Sequence, residues 1–184
     1  NVMAAVAVAI LWSFIYNPSF GLLNALLRQL HLEQYAHAWL GEPYTALPAL
    51  MIAQIWMQAG FYVVLFYAGL LRIPTDFLEA ARIDGCGPWQ EFIHIRLPLL
   101  REILRIGVLY VVISSLNVFA LVFLVNEGQS NKYNNVLLTY LYEHGFQNGN
   151  FGYACAIAVM VVVLVVIFTF VLNRLFGNSR EELS

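Results

Sequence analysis

Residues 79–98 read EAARIDGCGPWQEFIHIRLP, a polar segment in a chain that is otherwise strongly hydrophobic. Of the 184 residues, 61% are hydrophobic and 11% are charged, and the mean hydropathy is +0.72. A soluble domain carries roughly 25% charged residues. The composition therefore indicates a membrane protein. The formal net charge of -2 gives no reason to expect a nucleic-acid partner.

Two long runs without Asp, Glu, Lys or Arg flank this polar segment. Residues 44–71 (YTALPALMIAQIWMQAGFYVVLFYAGLL) precede it, and residues 106–126 (IGVLYVVISSLNVFALVFLVN) follow it. A third run is centred on residues 155–172 (CAIAVMVVVLVVIFTFVL). A helix that crosses a hydrocarbon core of about 30 Å needs about 20 apolar residues. Each run therefore predicts one transmembrane helix.

The chain opens with a shorter apolar stretch, residues 1–16 (NVMAAVAVAILWSFIY), which stops at Asn17–Pro18. We expect it to be the remaining part of a span. A signal peptide is the alternative, but it requires a basic n-region, which this stretch lacks. The expected fold is an all-α, polytopic membrane helix bundle with about four transmembrane helices, the first one truncated. Residues 1–184 would form a single transmembrane domain that lacks its N-terminal spans.

The placement of basic residues predicts the orientation of the spans. Seven arginines lie between the second and third spans or in the C-terminal tail, namely Arg72, Arg82, Arg96, Arg101, Arg105, Arg174 and Arg180. The other two connections hold only Arg28 and Lys132. Cytoplasmic loops carry an excess of Lys and Arg. Residues 73–98 and the C-terminus are therefore predicted to be cytoplasmic, and residues 17–47 and 126–150 extracytoplasmic.

The polar segment carries the signals of two short helices joined by a turn. Asp76 and Glu79 match a capping box that would open the first helix. Gly85 stands where the end of that helix needs a residue with positive φ. Gly87–Pro88 suits the start of a second helix, which we expect to end at Pro98 because the residue before a proline is biased away from the helical region.

The same segment has a spacing that resembles a known family. The pattern is E-A-A, three residues, Gly, nine residues, Ile, one residue, Leu-Pro, and it is similar to the EAA loop in the permease subunits of binding-protein-dependent ABC importers. Every fixed position is met, by Glu79, Ala80, Ala81, Gly85, Ile95, Leu97 and Pro98. Residues 20–24 (FGLLN), 68–85 (AGLLRIPTDFLEAARIDG) and 151–159 (FGYACAIAV) resemble the branch for sugars and glycerol-phosphate-like solutes.

This resemblance implies the type I ABC importer permease fold and a cytoplasmic coupling loop over residues 73–98. In that family the loop docks into a separate ATPase subunit. The implied ATPase-coupling residues are Glu79, Ala80, Ala81, Asp84, Gly85, Ile95, Leu97 and Pro98. The implied partners are two copies of the ATP-binding subunit, a second permease subunit, an extracytoplasmic solute-binding protein and the lipid bilayer. The implied function is ATP-driven import of a polar solute, with carbohydrate as the expected class, across the cell (inner or plasma) membrane.

Several motifs are missing from the sequence. No G-x-x-x-x-G-K-[ST] motif occurs, so ATP would be bound by a partner, and we do not expect this chain to be an enzyme. The three complete runs lack Asp, Glu, Lys, Arg and His, which disfavours a proton-coupled carrier. The histidines lie in different loops or at spacings unsuited to a shared ion, so neither a metal nor a cofactor is expected. The open alternatives are an ATP-independent channel or secondary carrier with a cytoplasmic gating loop, and a non-transporting scaffold.

Polar side chains inside the runs are the candidates for a translocation pathway. Gln54 and Gln58 are four residues apart, and Ser114 and Asn117 are three apart, so each pair shares a helix face. Unpaired amides and hydroxyls are costly against lipid, so these groups should face other helices or a wet cavity. Hydrogen bonding between helices and contact with solute both remain open. Asn117 is the best candidate for solute contact.

Residues 17–47 include SFGLLNALLRQLHLEQYAHAWLG (residues 19–41), whose leucines cluster on one side of a helix. This pattern predicts an amphipathic helix on the membrane surface. Together with residues 126–150 it would form either the landing surface for a solute-binding protein or a seal over the outer face of the bundle.

Overall fold

The computed structural model describes residues 5–126 and 133–176, and every regular element in those ranges is helical. The α-helices are α1 (Ala5–Ile15), α2 (Leu22–Gln29), α3 (Ala46–Leu70), α4 (Thr75–Ile83), α5 (Pro88–Glu91), α6 (Leu97–Leu99), α7 (Arg101–Leu116), α8 (Ala120–Val125), α9 (Leu137–Tyr142) and α10 (Phe151–Phe176). A 3₁₀ turn covers Glu33–Tyr35, and two π-helical turns cover Phe92–Arg96 and Glu143–Gln147.

Three stretches are long and apolar enough to cross a membrane: Ala46–Leu70, Arg101–Val125 and Phe151–Leu175, each 25 residues long. They coincide with the three runs in the sequence, so the prediction of three complete spans in an all-α protein is confirmed. α1 is a shorter apolar helix of 11 residues. Lys132 and Arg180, which entered the prediction of orientation, lie outside the described residues, as does the stretch 127–132 of the predicted outer loop.

The spans leave most of their apolar side chains exposed in the single chain. Val63 and Val64, for example, are 66% and 67% exposed. A helix that is apolar all round is covered by lipid or by other protein. The exposure therefore fits helices that lie in a bilayer and pack against further membrane helices.

The chain divides into two compact units, Asn1–Ala59 with Leu116–Val162 and Gly60–Ser115 with Val163–Ser184. The core of the first unit is formed by four buried residues from three helices: Val8, Ala9, Ala53 and Leu121. The small alanines allow helix backbones to approach closely, as is common between membrane helices.

The second unit also depends on small residues between helices. A Cβ added at Gly69 would lie 2.4 Å from Cδ1 of Ile103, and one at Gly107 would lie 3.0 Å from Cζ of Phe66. These glycines therefore let α3 and α7 approach closely at two points along their length.

The third span is broken, whereas the sequence predicts one continuous helix. α7 ends at Leu116 and α8 begins at Ala120, and the intervening residues 117–119 are not helical. Phe119 has φ -136° and ψ -59°, and its ring packs 5.0 Å from that of Phe123 and 5.7 Å from that of Tyr142. Residues 117–119 are Asn, Val and Phe, and none of them is a glycine or proline that would predict a helix break.

The predicted capping box of the polar segment is wrong. α4 begins at Thr75 with Pro74 as its N-cap, and no side chain caps it. Asp76 therefore lies within the first turn of α4, where its negative charge interacts favourably with the positive end of the helix dipole. It is not the N-cap residue and does not form the predicted capping box with Glu79.

The predicted helix end at Pro98 is also wrong. Leu97 has helical angles, φ -64° and ψ -44°, and the helix continues as Leu97–Leu99. A proline inside an α-helix clashes with the carbonyl four residues earlier. The wider π-helical turn Phe92–Arg96 ends two residues before Pro98 and gives the physical reason why the helix passes through the proline.

Candidate functional site

The first helix of the polar segment presents part of the E-A-A pattern on its surface. Glu79 and Ala80 are exposed, whereas Ala81 is only 5% exposed. The helix ends at Ile83 with Asp84 as its C-cap, and Gly85 follows with φ +79°, which confirms the predicted glycine at the helix end. A Cβ at Gly85 would meet nothing within 4 Å. The glycine is therefore required by its backbone conformation, and the surface above it is open to a partner.

Large apolar side chains are exposed elsewhere in the same segment. Phe77, Ile83 and Trp89 are 55%, 86% and 72% exposed, and the Trp89 ring stacks on Phe92 with centroids 6.1 Å apart. They belong to a segment between two spans, which also carries charged residues and is thus unsuited to burial in lipid. Exposed apolar groups outside the spans are typical of surfaces that bind another protein or a membrane. These three residues were not among the predicted coupling residues, although large apolar residues in a charged segment are a usable signal.

The second helix begins as predicted. Gly87 is the N-cap of α5 and Pro88 its first residue, and the Gly87 amide donates to Oε1 of Gln90 at 3.0 Å. The chain then runs through the π-helical turn and α6 toward α7. Ile95 is half-buried, whereas Leu97 and Pro98 are exposed, so these three predicted coupling residues lie on the helical connection between the polar segment and the third span.

A buried carboxylate joins the two helices of the polar segment. Glu91 is 5% exposed, and its Oε1 accepts hydrogen bonds from Nε of Arg96 at 2.8 Å and from Nη2 of the same side chain. Its Oε2 accepts a bond from Nε of Arg82 at 3.4 Å. The Arg96 hydrogen bond, supported by the Arg96 charge and by Arg82, outweighs the effect of burial and holds the pKa of the Glu91 carboxyl below its ordinary value.

Sequence reasoning missed this cluster for a geometric reason. Side chains three or four residues apart meet on an α-helix, whereas Glu91 and Arg96 are five apart. Arg82 lies in a different helix, nine residues before Glu91. A glutamate followed by an arginine five residues later does not predict an ion pair on an α-helix.

The candidate pathway residues fall into both units. Gln54, Gln58 and Asn117 belong to one unit, and Ser114 belongs to the other. Both glutamines are half-buried on α3. The Ser114 hydroxyl donates to the Val111 carbonyl of its own helix at 3.1 Å, which satisfies that hydroxyl locally. Asn117 is the first residue of the helix break.

The outer segment 17–47 contains the predicted amphipathic helix, α2. Leu22 and Leu26 are 64% and 50% exposed, whereas Asn24 is 3% exposed. The Asn24 amide donates to the His37 carbonyl at 3.0 Å and accepts a bond from Nε1 of Trp39 at 2.7 Å. Asn24, on one side of α2, therefore joins the helix to residues 37–39 of the same segment, whereas Leu22 and Leu26 are exposed. Its location at the membrane surface remains a prediction.

The second outer segment is also held by polar contacts. Asn126 and Asn134 exchange two amide hydrogen bonds of 2.8 and 2.9 Å. Farther along, the rings of Tyr140, His144 and Tyr153 lie within 4.3 to 6.3 Å of one another, and the hydrogen bond with Tyr153 raises the pKa of Tyr140. Polar contacts thus hold the described residues of both segments, 17–47 and 133–150.

Residues 2–180 match the family described as the binding-protein-dependent transport system inner membrane component. The chain belongs to this family. The family is one of membrane transport components, which agrees with the three apolar spans and with the resemblance carried by residues 79–98.

Three curated relatives illustrate the family. The probable ABC transporter permease protein YurN of Bacillus subtilis is 34% identical over 98% of this chain and 62% of its own length. The diacetylchitobiose uptake system permease protein NgcF of Streptomyces coelicolor is 36% identical, over 98% and 53%. The trehalose/maltose transport system permease protein MalF of Thermococcus litoralis is 34% identical, over 87% and 53%. The chain thus spans about half to two thirds of the length of these relatives.

Solved structures agree on the fold. A bacterial ABC transporter involved in the import of the acidic polysaccharide alginate superposes with a TM-score of 0.85 at 24% identity, over 98% of this chain and 63% of that chain. A bacterial alginate transporter in complex with an alginate pentasaccharide-bound periplasmic protein gives a TM-score of 0.75 at 23% identity, over 94% and 60%. The predicted importer-permease fold is confirmed.

Proposed function

We propose that this inner membrane component, together with a second permease subunit, forms the translocation pathway of an ATP-driven importer, and that residues 73–98 dock a separate ATPase subunit. The observation that carries the proposal is that Phe77, Ile83 and Trp89 are exposed in the same short segment in which the position at Gly85 is open. An apolar groove on a cytoplasmic partner would remove these side chains from water, which is the main favourable term in protein association.

The coupling residues have distinct roles in this proposal. Glu79 and Asp84 are exposed acids and would face basic groups on the ATPase. Ala80 and Gly85 present little side chain, so the partner can approach the backbone of α4 closely. The helical connection that contains Ile95, Leu97 and Pro98 would then carry the movement of the loop to α7. Two ATPase copies that close on ATP would tip the membrane helices between inward- and outward-facing states.

The pathway is proposed to pass the break in the third span. Non-helical backbone at membrane depth is tolerated where it is buried in protein or lines a water-filled cavity. Transporters place binding sites at such discontinuous helices. Asn117 opens the break and is therefore the first candidate for solute contact, followed by Gln54, Gln58 and Ser114.

The proposed solute is a carbohydrate. Two relatives are named for diacetylchitobiose and for trehalose/maltose. The span residues include amides, hydroxyls and a cluster of aromatic rings in which Phe61 and Tyr62 lie 4.9 and 6.3 Å from Tyr110. Apolar walls with a few placed polar groups are typical of sites for small polar ligands. The lack of Asp, Glu, Lys, Arg and His in the three apolar runs, residues 44–71, 106–126 and 155–172, favours an uncharged solute over an ion.

The remaining partner is proposed on the opposite side of the membrane. Residues 17–47 and 126–150 would receive an extracytoplasmic solute-binding protein, and the buried amides of Asn24 and Asn134 hold parts of the two segments that the structure describes. The excess of basic residues supports the proposal that the coupling loop and the C-terminus lie in the cytoplasm of a multi-pass protein of the cell membrane.

Co-purification of the intact protein with the ATPase subunit tests the proposal. Gly85→Asp adds bulk and charge to the docking surface without breaking the turn, because Asp tolerates positive φ better than most residues. Gly149→Asp is the matched control, since Gly149 has φ +71° and a Cβ there also meets nothing within 4 Å. We expect Gly85→Asp to lower ATPase retention by at least about tenfold, because burying an unpaired charge at an interface costs more than 1.4 kcal/mol.

The outcomes separate the candidate functions. Retention by wild type and Gly149→Asp but not by Gly85→Asp supports docking through the loop. If no variant retains an ATPase while oligosaccharides still enter proteoliposomes without ATP, the chain is a channel or carrier and the proposal is wrong.

A further inference from the structure

The Glu91 carboxylate contacts both helical parts of the coupling loop, through Arg82 and Arg96. Arg82 lies in the last turn of α4, which carries the proposed docking surface. Arg96 is the last residue of the π-helical turn and directly precedes Leu97–Pro98 and the third span. Glu91 binds one arginine with each carboxylate oxygen, so a single buried side chain links the docking helix to the start of the membrane helix.

The π-helical turn is what allows Arg96 to reach Glu91. At about 100° per residue, side chains five apart on an α-helix point about 140° away from each other. In this turn the Leu97 amide bonds to the Phe92 carbonyl, five residues back, so that residues five apart come to lie above one another. π-helical turns are rare in proteins, and those that occur are often found at functional sites.

The covalent connection between the two helices is unsuited to transmitting movement. α4 and α5 are joined by residues 84–87, and two of these four residues are glycine. Glycine is the most permissive residue of the backbone. The ion-paired cluster bridges the same gap through side chains, and it does so with planar guanidinium groups, of which Arg96 gives two hydrogen bonds to one oxygen.

A buried ion pair is weak evidence for stability, since its desolvation offsets much of the attraction. Its best-supported effect is to select one arrangement of the elements it joins. Here the partners differ in exposure: the side chain of Arg82 is 64% exposed, that of Arg96 is 33% exposed and that of Glu91 is 7% exposed. The ion pair between Glu91 and Arg96 is therefore the more buried of the two, and the pair between Glu91 and Arg82 is the more exposed one, which joins Glu91 to α4.

We propose that Glu91 is a positioning residue that locks α4 to the start of α7 through Arg82 and Arg96, so that the docking helix and the membrane helix move as one body. The inference rests on the proposed function and adds to it a residue that contacts neither ATPase nor solute. Loss of Glu91 leaves the docking surface in place but disconnects it from the span.

The first test measures the geometry of the loop in the intact transporter. Nitroxide labels at Asp76 and Arg101, both exposed, report the distance between α4 and the start of α7 in a background with Cys86 and Cys155 replaced by serine. The variants are Glu91→Gln and Arg82→Gln, and the control is Glu102→Gln, the same chemical change at an exposed position of α7. We expect the control to keep the narrow distance distribution of the parent protein and the two test variants to broaden it.

The second test measures transmission, with MgATP and vanadate as the only added ligands. A nitroxide at Ser115 in α7 should change its spectrum on vanadate trapping in the parent and in Glu102→Gln. Glu91→Gln should retain the ATPase subunit on co-purification yet lose this change, and Glu91→Asp, which keeps the charge, should restore part of it. A merely structural residue would alter retention and response together.

The outcomes distinguish the two levels of inference. If the parent protein retains no ATPase, the proposed function fails. If the ATPase is retained and both test variants match Glu102→Gln in distance and response, or broaden the distance with an unchanged response, the positioning role is overturned while the proposed function stands. If Glu91→Gln fails to fold, Arg82→Gln decides, because it breaks only the exposed half of the cluster.

Discussion

Nη2 of Arg105 donates a hydrogen bond of 2.9 Å to Oδ1 of Asn173, which joins the start of the third span to the end of the last across 68 positions of the sequence. Both residues belong to the same compact unit. A guanidinium at the edge of an apolar run needs a polar partner or water. The bond thus ties together two helix ends that are both predicted to be cytoplasmic.

Replacing Asn173 should therefore destabilise the protein. Hydrogen bonds to charged groups contribute about 1.5–3 kcal/mol, so Asn173→Leu should lower the free energy of unfolding by about that amount. For a chain of this size, each kcal/mol lowers the Tm by about 2–4 °C. Asn173→Asp keeps an acceptor for Arg105 and should melt close to wild type. Intrinsic-fluorescence melting in detergent measures both variants, and equal Tm values for the two would contradict the role of the bond.

Gly145 is held against α10 with no room for a side chain. A Cβ at Gly145 would lie 2.9 Å from the Cβ of Ala154, an atom that no rotamer change can move. We expect Gly145→Ala to cost about 1–3 kcal/mol, as overpacking does. Adding Ala154→Gly should restore part of the loss. The control is Gly152→Ala, where the new Cβ meets nothing within 4 Å. Thermal melting of the single and double variants gives the coupling, and purely additive effects would refute the steric explanation.

The Glu91 cluster should be insensitive to pH in the physiological range. Arg96 and Arg82 are the charged groups that face Glu91, and the pKa of Glu91 lies below its ordinary value of 4.5. A carboxyl with a lowered folded-state pKa contributes stability that is fully present above the unfolded-state pKa and is lost as the pH falls through the folded-state pKa. Hydrogen-exchange protection of residues 88–96, corrected for intrinsic rates, should be constant from about pH 8 to pH 6. Loss of protection between pH 8 and pH 6 in wild type but not in Glu91→Gln would contradict the lowered pKa of Glu91 or its pairing with the two arginines.

The helix break makes opposite predictions for two neighbouring polar residues. Asn117→Leu should reduce uptake by at least about tenfold at matched membrane expression, which corresponds to one lost hydrogen bond of about 1.4 kcal/mol in the transport step. Ser114→Ala should have little effect, because the hydroxyl bonds to its own helix. Uptake of a panel of oligosaccharides into proteoliposomes, with diacetylchitobiose and maltose among them, measures both. A stronger loss for Ser114→Ala would move the pathway away from the break.

Features that depend on neighbouring residues were predictable from the sequence. The three runs coincide with three apolar stretches of 25 residues that can cross a membrane, because length and hydrophobicity alone decide what can cross a bilayer. Gly85 has the predicted positive φ, and Gly87–Pro88 opens the second helix, since each follows from the backbone chemistry of one or two residues. The spacing of residues 79–98 was enough to indicate the family.

Features that depend on contacts between separate elements were not predictable. The helix through Pro98 exists because a π-helical turn relieves the proline, and that turn is accompanied by the Glu91–Arg96 pair, which no α-helical spacing suggests. The break at residues 117–119 is accompanied by the packing of Phe119 on Tyr142, a residue from a later helix.

The sequence by itself thus determined where the three apolar spans lie, where the polar segment lies between them and which family the chain resembles, because hydrophobic length, glycine and proline act locally. Only the tertiary structure decided where the third span breaks and that Glu91 is buried between two arginines. The physical reason is that burial and ion pairing are properties of residues brought together from different helices, and no single stretch of sequence contains that information.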